Sequence, residues 1–292
     1  MRIFITGGTG FVGSHLTRKL VENHKVTVGS LSPEEATLEL PEEVERERIN
    51  VTDKEILDFS DYECVIHLVA LSPLEKPPMP YSKIHCEGTE NVVNQAQEDE
   101  VKRFFHMSAL GADENADTEY LRTKGEAEKY VENSNLDWRI MKPSTMFGIG
   151  GQFLNFLSGL TTPYLTVLPG KSTRFQPIYV EEVATLIENS LEDEYSREKF
   201  EVGGPEKLSL SEIAVKIEKS KEKSLKALGL PMPIFKLAMT ISERIPFSPF
   251  GIDQYHSLKT DNVTEQNSVE ELGLRIDKMK TLDKYLEIEE DK

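Results

Sequence analysis

A tyrosine and a lysine four residues apart on a helix share one face, where a phenol and an ammonium can pass a proton to or from an oxygen. The chain holds this spacing three times: Tyr120–Lys124 in YLRTK, Tyr195–Lys199 in YSREK and Tyr255–Lys259 in YHSLK. A phenol titrates near 10, so it serves as a base at neutrality only where a nearby cation favours the phenolate. Spacing alone does not choose among the three; their places in the fold must. His67 and His106 fall inside apolar runs and read as satisfied core or cofactor-side residues. No His, Cys, Asp or Glu cluster has metal-ligand spacing, so no metal is expected. Cys64 and Cys86 lack CxxC spacing and read as reduced packing residues.

The elements that would position such a pair begin at the first residues. RIFIT is a β-branched strand, Gly7, Gly10 and Gly13 follow at GxxGxxG spacing, and SHLTRKLVEN puts Leu16, Leu20 and Val21 on one helical stripe before a second strand, KVTVGS. In such a strand–turn–helix–strand unit the first glycine turns the chain, the second admits a pyrophosphate and the third lets helix and strand pack closely. The helix N-terminus then offers unpaired N–H groups to the phosphates. At the tip of the second strand an acid would bond ribose hydroxyls and an Arg would accept a 2′-phosphate. Ser30 and Ser32 stand there instead. Their small hydroxyls leave room for a phosphate, which favours NADP(H) over NAD(H).

The alternation continues through strands ERINVT, YECVIHLVAL, VKRFFHMSAL and DWRIMKPSTMFG, with helices HCEGTENVVNQAQE and TEYLRTKGEAEKYVEN between them. This predicts an α/β fold, a doubly wound parallel (Rossmann) sheet with ligands at the carboxyl ends of its strands. Tyr120 opens a helix just after the fifth strand, and Ser108 ends that strand. Tyr195 and Lys199 fall in the charged, exposed-looking LEDEYSREKFEV, and Tyr255 comes late. Position selects Tyr120 and Lys124.

The motifs TGGTGFVG, VIHLVAL, EGTENVV, MSALGA, MKPSTMFG, QPIYVEEVA and FEVGGPE, with the Tyr120–Lys124 pair, resemble the extended or atypical short-chain dehydrogenase/reductase superfamily. They are most similar to a branch holding nucleotide-sugar epimerases and a nucleotide-binding accessory subunit of respiratory complex I. The resemblance implies Tyr120 as general acid/base, Lys124 as its pKa modulator and ribose anchor, and Ser108 as donor to the substrate oxygen. It implies a cofactor wall of Gly7, Thr9, Gly10, Phe11, Val12, Gly13, Ser30, Asn50, Val51, Leu68, Val69, Ala70, Lys124 and Pro143, with Arg174 facing substrate. Three departures stand out. Asn50 takes the place of an Asp near the adenine, Lys142–Pro143 replaces Arg-Pro, and the Ser108–Tyr120 interval is shorter than in extended epimerases. The expected function is an NAD(P)-dependent oxidoreductase or epimerase acting on a small carbonyl, alcohol or nucleotide-sugar substrate. Its rival is a non-catalytic NADP(H)-binding redox sensor or accessory subunit of a respiratory complex.

A net charge of −17 argues against nucleic acid or an anionic membrane as the main partner. No apolar run is long enough to span a bilayer, and MRIFITGG reads as a strand rather than a signal peptide, so a cytoplasmic location is expected. The dinucleotide-binding domain is expected at 1–147 and 174–204, with a smaller, mostly helical, substrate-facing part at 148–173 and 205–292. Within the apolar segment 228–251, Ile234, Leu237, Ala238, Ile241 and Ile245 form one stripe. They predict a helix that caps the cleft or packs on the core, or else a surface for a homodimer or peripheral association.

Overall fold

The structure, a computed structural model, describes residues 1–74, 77–161, 164–222, 225–242, 244 and 252–287. Ile3 and Ile5 project to one face of the first strand and Phe4 to the other, and all three are buried. A strand apolar on both faces must be covered by helices on both sides. It is the centre of a seven-stranded sheet. Strand β1 (Arg2–Thr6) leads to helix α1 (Phe11–Leu20), then β2 (Lys25–Ser30), β3 (Glu45–Arg48) and β4 (Cys64–His67). A π-helical stretch, Lys83–Gly88, runs into α2 (Thr89–Glu98), followed by β5 (Arg103–Met107), α3 (Glu119–Glu132) and β6 (Asp137–Pro143).

Smaller elements follow. They are β7 (Met146–Phe147), α4 (Gln152–Leu160), β8 (Tyr164–Pro169), β9 (Arg174–Phe175), β10 (Ile178–Tyr179) and α5 (Val180–Ser190). The seventh strand of the main sheet is β11 (Glu198–Val202), after which come β12 (Leu208–Ser209), α6 (Leu210–Lys219), β13 (Leu225–Leu230), α7 (Met232–Ser242), α8 (Ile252–Ser257) and α9 (Leu282–Leu286). The main sheet has the order β11-β6-β5-β4-β1-β2-β3, with every pair parallel. Strand order reverses between β1 and β4, which opens a crevice at their carboxyl ends.

Residues of α1 and α5 (Leu16, Leu20, Val183, Ile187) pack on the Ile3 and Ile5 side. Residues of α2 and α3 (Val92, Ala96, Val131) pack on the Phe4 side with Phe104. A third cluster joins Phe147, Phe153, Leu157, Phe175, Leu210, Ile213, Ile217 and Leu282.

Three sequence expectations need correction. The third strand is Glu45–Arg48 and fully exposed, not Glu47–Thr52; Ile49 and Val51 instead leave the ladder and bury beneath the sheet edge. The charged stretch around Lys199 is the edge strand β11, with Phe200 and Val202 buried against β6. On α7, Ile234, Leu237, Ala238 and Ile241 face solvent rather than a core, while Phe235 and Met239 of the same helix line the cleft. The opposite face is held instead: Phe235 lies 6.1 Å from the Tyr255 ring of α8 and Lys236 lies over that ring. Ile245 lies outside the described residues.

Candidate cofactor and catalytic site

The turn after β1 is built for close approach. Gly7 has φ +77°, a conformation that L side chains rarely adopt. A Cβ on Gly13 would stand 2.2 Å from the Gly7 carbonyl oxygen, so only glycine lets α1 pack on this turn. Gly10 is the N-cap of α1 and has no side-chain cap, which leaves the first helical N–H groups facing the crevice.

A cleft of about 1420 Å³ runs along the carboxyl ends of the strands. Every residue expected to form the cofactor wall lines it: Gly7, Thr9, Gly10, Phe11, Val12, Gly13, Ser30, Asn50, Val51, Leu68, Val69, Ala70, Lys124 and Pro143. Tyr120 and Ser108 line it as well, and Arg174 does not. The fit to a dinucleotide rests on the glycine turn, the uncapped α1 terminus and Ser30, whose buried hydroxyl oxygen lacks a partner among the described residues. The Asn50 carbonyl is already engaged, accepting from the N–H and hydroxyl of Thr52 at 3.1 and 2.9 Å, which leaves only its NH₂ for an adenine edge.

Helix α3 delivers the Tyr–Lys pair. Thr118 caps it by accepting from Leu121 N–H, and the Asp253 carboxylate accepts from Glu119 N–H at 2.7 Å, a negative charge at the positive end of the helix. Lys124 is 2% exposed, and its ammonium donates to the Met107 carbonyl. Burial pulls this ammonium down to about 8, against an opposing pull from Glu128. Burial also pushes the Tyr120 phenol up to about 12.

His85, on the π-helical stretch, meets the Tyr120 ring edge-on at 5.5 Å. Thr123 spends its proton on the Glu119 and Tyr120 carbonyls, so its oxygen accepts from His85 Nδ1 at 2.9 Å. The bare Nε2 then accepts from Leu71 N–H at 3.1 Å. His85 is thus a neutral clamp between the loop after β4 and helix α3, and burial holds it far below the usual imidazole range.

The other pairs do different work. The Tyr195 hydroxyl donates to the Glu271 carbonyl, while Lys199 pairs with Glu128 and Glu132. Tyr255 is buried, with Lys236 and Lys259 each 5.8 Å from its ring centroid. Only Tyr120 and Lys124 share the crevice.

Ser108 departs from its expected role. Its hydroxyl donates at 2.5 Å to Glu128, a carboxylate 3% exposed that also pairs with Lys142 at 3.2 Å and Lys199 at 3.3 Å. A hydrogen bond to a substrate oxygen would have to displace that carboxylate. Arg174 departs too: its backbone N–H and Nε both donate at 2.8 Å to Asp261, and the side chain is half exposed outside the cleft. His67 is satisfied by Thr6 at 2.7 Å and Thr89 at 3.1 Å. His106, stacked on it at 5.5 Å, is buried with neither ring nitrogen partnered among the described residues, contrary to expectation. Among those residues no group of His, Cys, Asp and Glu is arranged to hold a metal ion.

The sequence reading missed His85, Glu128 and Asn262. Asn262 lines the cleft and accepts from Ser144 Oγ and Thr145 N–H at 2.7 and 2.9 Å, which ties the late chain to the end of β6. Nothing local marks these residues, since their side-chain hydrogen-bond partners lie 14 to 152 positions away.

A family model described as NAD(P)H-binding matches residues 7–194. The chain belongs to that family. Over 182 residues it is 32% identical to the mitochondrial NADH dehydrogenase [ubiquinone] 1 alpha subcomplex subunit 9 of Arabidopsis thaliana, covering 58% of this chain and 45% of that one. Over 198 residues it is 25% identical to the mitochondrial NADH-ubiquinone oxidoreductase 40 kDa subunit of Neurospora crassa, covering 66% and 52%. The chain thus spans about half the length of these curated relatives. In fold it is similar to a nucleoside-diphosphate-sugar epimerase from Staphylococcus aureus (TM-score 0.73, 16% identity, 98% and 99% of the two chains). It is also similar to the UDP-glucose 4-epimerase of Thermus thermophilus in complex with NAD (TM-score 0.64, 18% identity, 89% and 99%). Among the described residues no helix is long and apolar enough to cross a membrane.

Proposed function

We propose that this NAD(P)H-binding chain is an oxidoreductase or epimerase that interconverts an alcohol and a carbonyl at Tyr120. The observation that carries this reading is a lysine ammonium buried one helical turn from a cleft-lining phenol, on the same wall as the glycine turn. A bound nicotinamide dinucleotide would accept or supply the hydride. Gly7, Gly10 and the α1 N-terminus would hold its pyrophosphate, and Lys124 its ribose. Tyr120 would give a proton to the oxygen in reduction and take it back in oxidation. With the phenol pushed up to about 12, Tyr120 is protonated at neutrality and already in the form that reduction needs.

For the adenosine end the residues favour NAD(H) over the NADP(H) expected from Ser30 and Ser32. Among the described cleft residues Lys124 is the sole Lys or Arg, and Glu35 stands on the wall near those serines. A 2′-phosphate would therefore lack a cation. Titration with NADH and NADPH, followed by turnover with a panel of carbonyl substrates, tests both points. Turnover unchanged in Tyr120→Phe would overturn the acid/base assignment.

A second reading, a dinucleotide-binding accessory or sensing subunit without turnover, draws on the Ser108–Glu128 hydrogen bond and on the complex I subunits among the relatives. NADH binding without turnover on any substrate would favour it.

A further inference from the structure

The cleft is larger than a single small ligand needs, about 1420 Å³ against roughly 300–1,000 Å³ for a typical small-molecule site. Past the glycine turn its walls change character. Phe156, Leu168, Phe175, Leu230, Phe235 and Met239 line it, brought there by α4, β8, β9, β13 and α7. Its charged lining is lopsided. Glu35, Asp113, Asp117 and Asp261 carry carboxylates, and Lys124, committed to the Met107 carbonyl, carries the one ammonium among the described residues. The glycine turn and the α1 N-terminus would be taken by the pyrophosphate of the dinucleotide. A second diphosphate would find no free cation among the described residues of this wall, and Glu35, Asp113 and Asp117, which have no cation paired with them as Asp261 has Arg174, repel it. Arg174, the residue expected to meet such a substrate, is paired with Asp261 and does not itself line the cleft.

We infer that the substrate is an uncharged, extended apolar molecule bearing a carbonyl or secondary alcohol at one end, the oxygen at Tyr120 and the chain running between α4 and α7. This rests on the proposed oxidoreductase reading and narrows its substrate class. Apolar side chains left half-buried on a cleft wall gain free energy when a ligand chain covers them. The direction of that burial sets the polarity of the molecule. With the dinucleotide bound, oxidation would break the carbinol C–H bond, the hydride going to the oxidised nicotinamide, while the O–H proton would pass to the Tyr120 phenolate as the C=O bond forms; reduction would be the reverse, with the Tyr120 phenol as the proton donor.

The test uses the full chain with NADH present and N-phenyl-1-naphthylamine, a neutral apolar fluorophore, as probe. Fluorescence enhancement is expected, reversed by 2-decanone and not by UDP-glucose. Met239→Lys and Phe235→Asp should each weaken the probe by about tenfold or more, because each places a charge in the apolar end. Both variants should retain wild-type NADH affinity, which reports that they fold. Leu237→Lys, on the outer face of α7, should leave probe binding unchanged. Displacement by UDP-glucose, or probe binding lost in Leu237→Lys but kept in the two cleft variants, overturns the inference. Probe binding that follows the expected pattern in a protein that does not bind NADH would sink the dinucleotide reading and leave the apolar cleft standing. NADH turnover confined to nucleotide sugars would keep the enzyme and sink the apolar substrate.

Discussion

Replacing Lys124 by Met should change how stability depends on pH. The ammonium is 2% exposed and titrates near 8 in the folded chain, against an ordinary 10.5. A lysine whose folded value is depressed binds fewer protons folded than unfolded between those two values, so its contribution to stability rises with pH across that window. Below pH 8 the folded chain carries the full penalty for charging a buried amine, about 3 kcal/mol. The penalty fades as pH approaches 10.5. Lys124→Met never carries it, although the variant loses the hydrogen bond to the Met107 carbonyl at every pH. The stability of the wild type relative to the variant should therefore rise by about 2–3 kcal/mol between pH 7 and pH 10. Tyr120, which titrates in the alkaline range, is present in both chains and largely cancels. Urea unfolding of the two proteins at several pH values, followed by circular dichroism, reads this difference. A difference that stays flat with pH, or one that moves against the wild type as pH rises, refutes the account of a charged lysine held in a dry site.

Further outcomes follow from the same contacts. Tyr120→Phe should cut turnover by about 10² or more with NADH affinity unchanged, read by steady-state kinetics beside a binding titration. Gly13→Ala should lower stability by about 2 kcal/mol or more, because the new methyl collides with the Gly7 carbonyl, and the denaturant midpoint measures it. Glu128→Ala should cost about 3 kcal/mol by leaving the largely buried Lys142 without its carboxylate and Ser108 without its acceptor, while Lys199 keeps Glu132, and Glu128→Gln, which can still bond Ser108, should recover part of that loss. Tyr195→Phe should leave turnover within about twofold of wild type, since its hydroxyl bonds the Glu271 carbonyl and does not line the cleft.

The glycine turn was legible because its signal is local: strand, turn and helix follow one another within thirty residues, and each glycine has its own steric reason. The choice of Tyr120 over Tyr195 and Tyr255 came from topology, which alternation of strands and helices made readable. What stayed hidden depends on residues far apart in the chain. Ser108 looked like a substrate donor because nothing near it announces Glu128, one face of a helix away and 20 residues on. Arg174 was expected to face substrate because nothing near it in the sequence announces Asp261, 87 residues later. The stripe on α7 was read correctly as apolar, yet periodicity reports that a face is oily and not which way it points. That was decided by Tyr255 gripping the other side. His85 escaped notice because a π-helical stretch turns its ring toward Tyr120 in a way that ordinary helical spacing does not foresee.

The four-way meeting at Glu128 makes one wall of the crevice hostage to the far margin of the molecule. Ser108 belongs to the end of β5, Glu128 to α3, Lys142 to β6 and Lys199 to β11, the last strand to join, 71 positions after the carboxylate it steadies. A fragment ending before β11 could still assemble the glycine turn and the Tyr–Lys helix, but the carboxylate behind Ser108 would keep a single cation. Shortened versions made to simplify the protein would then retain their grip on the nucleotide and lose the fixed orientation of the serine opposite it.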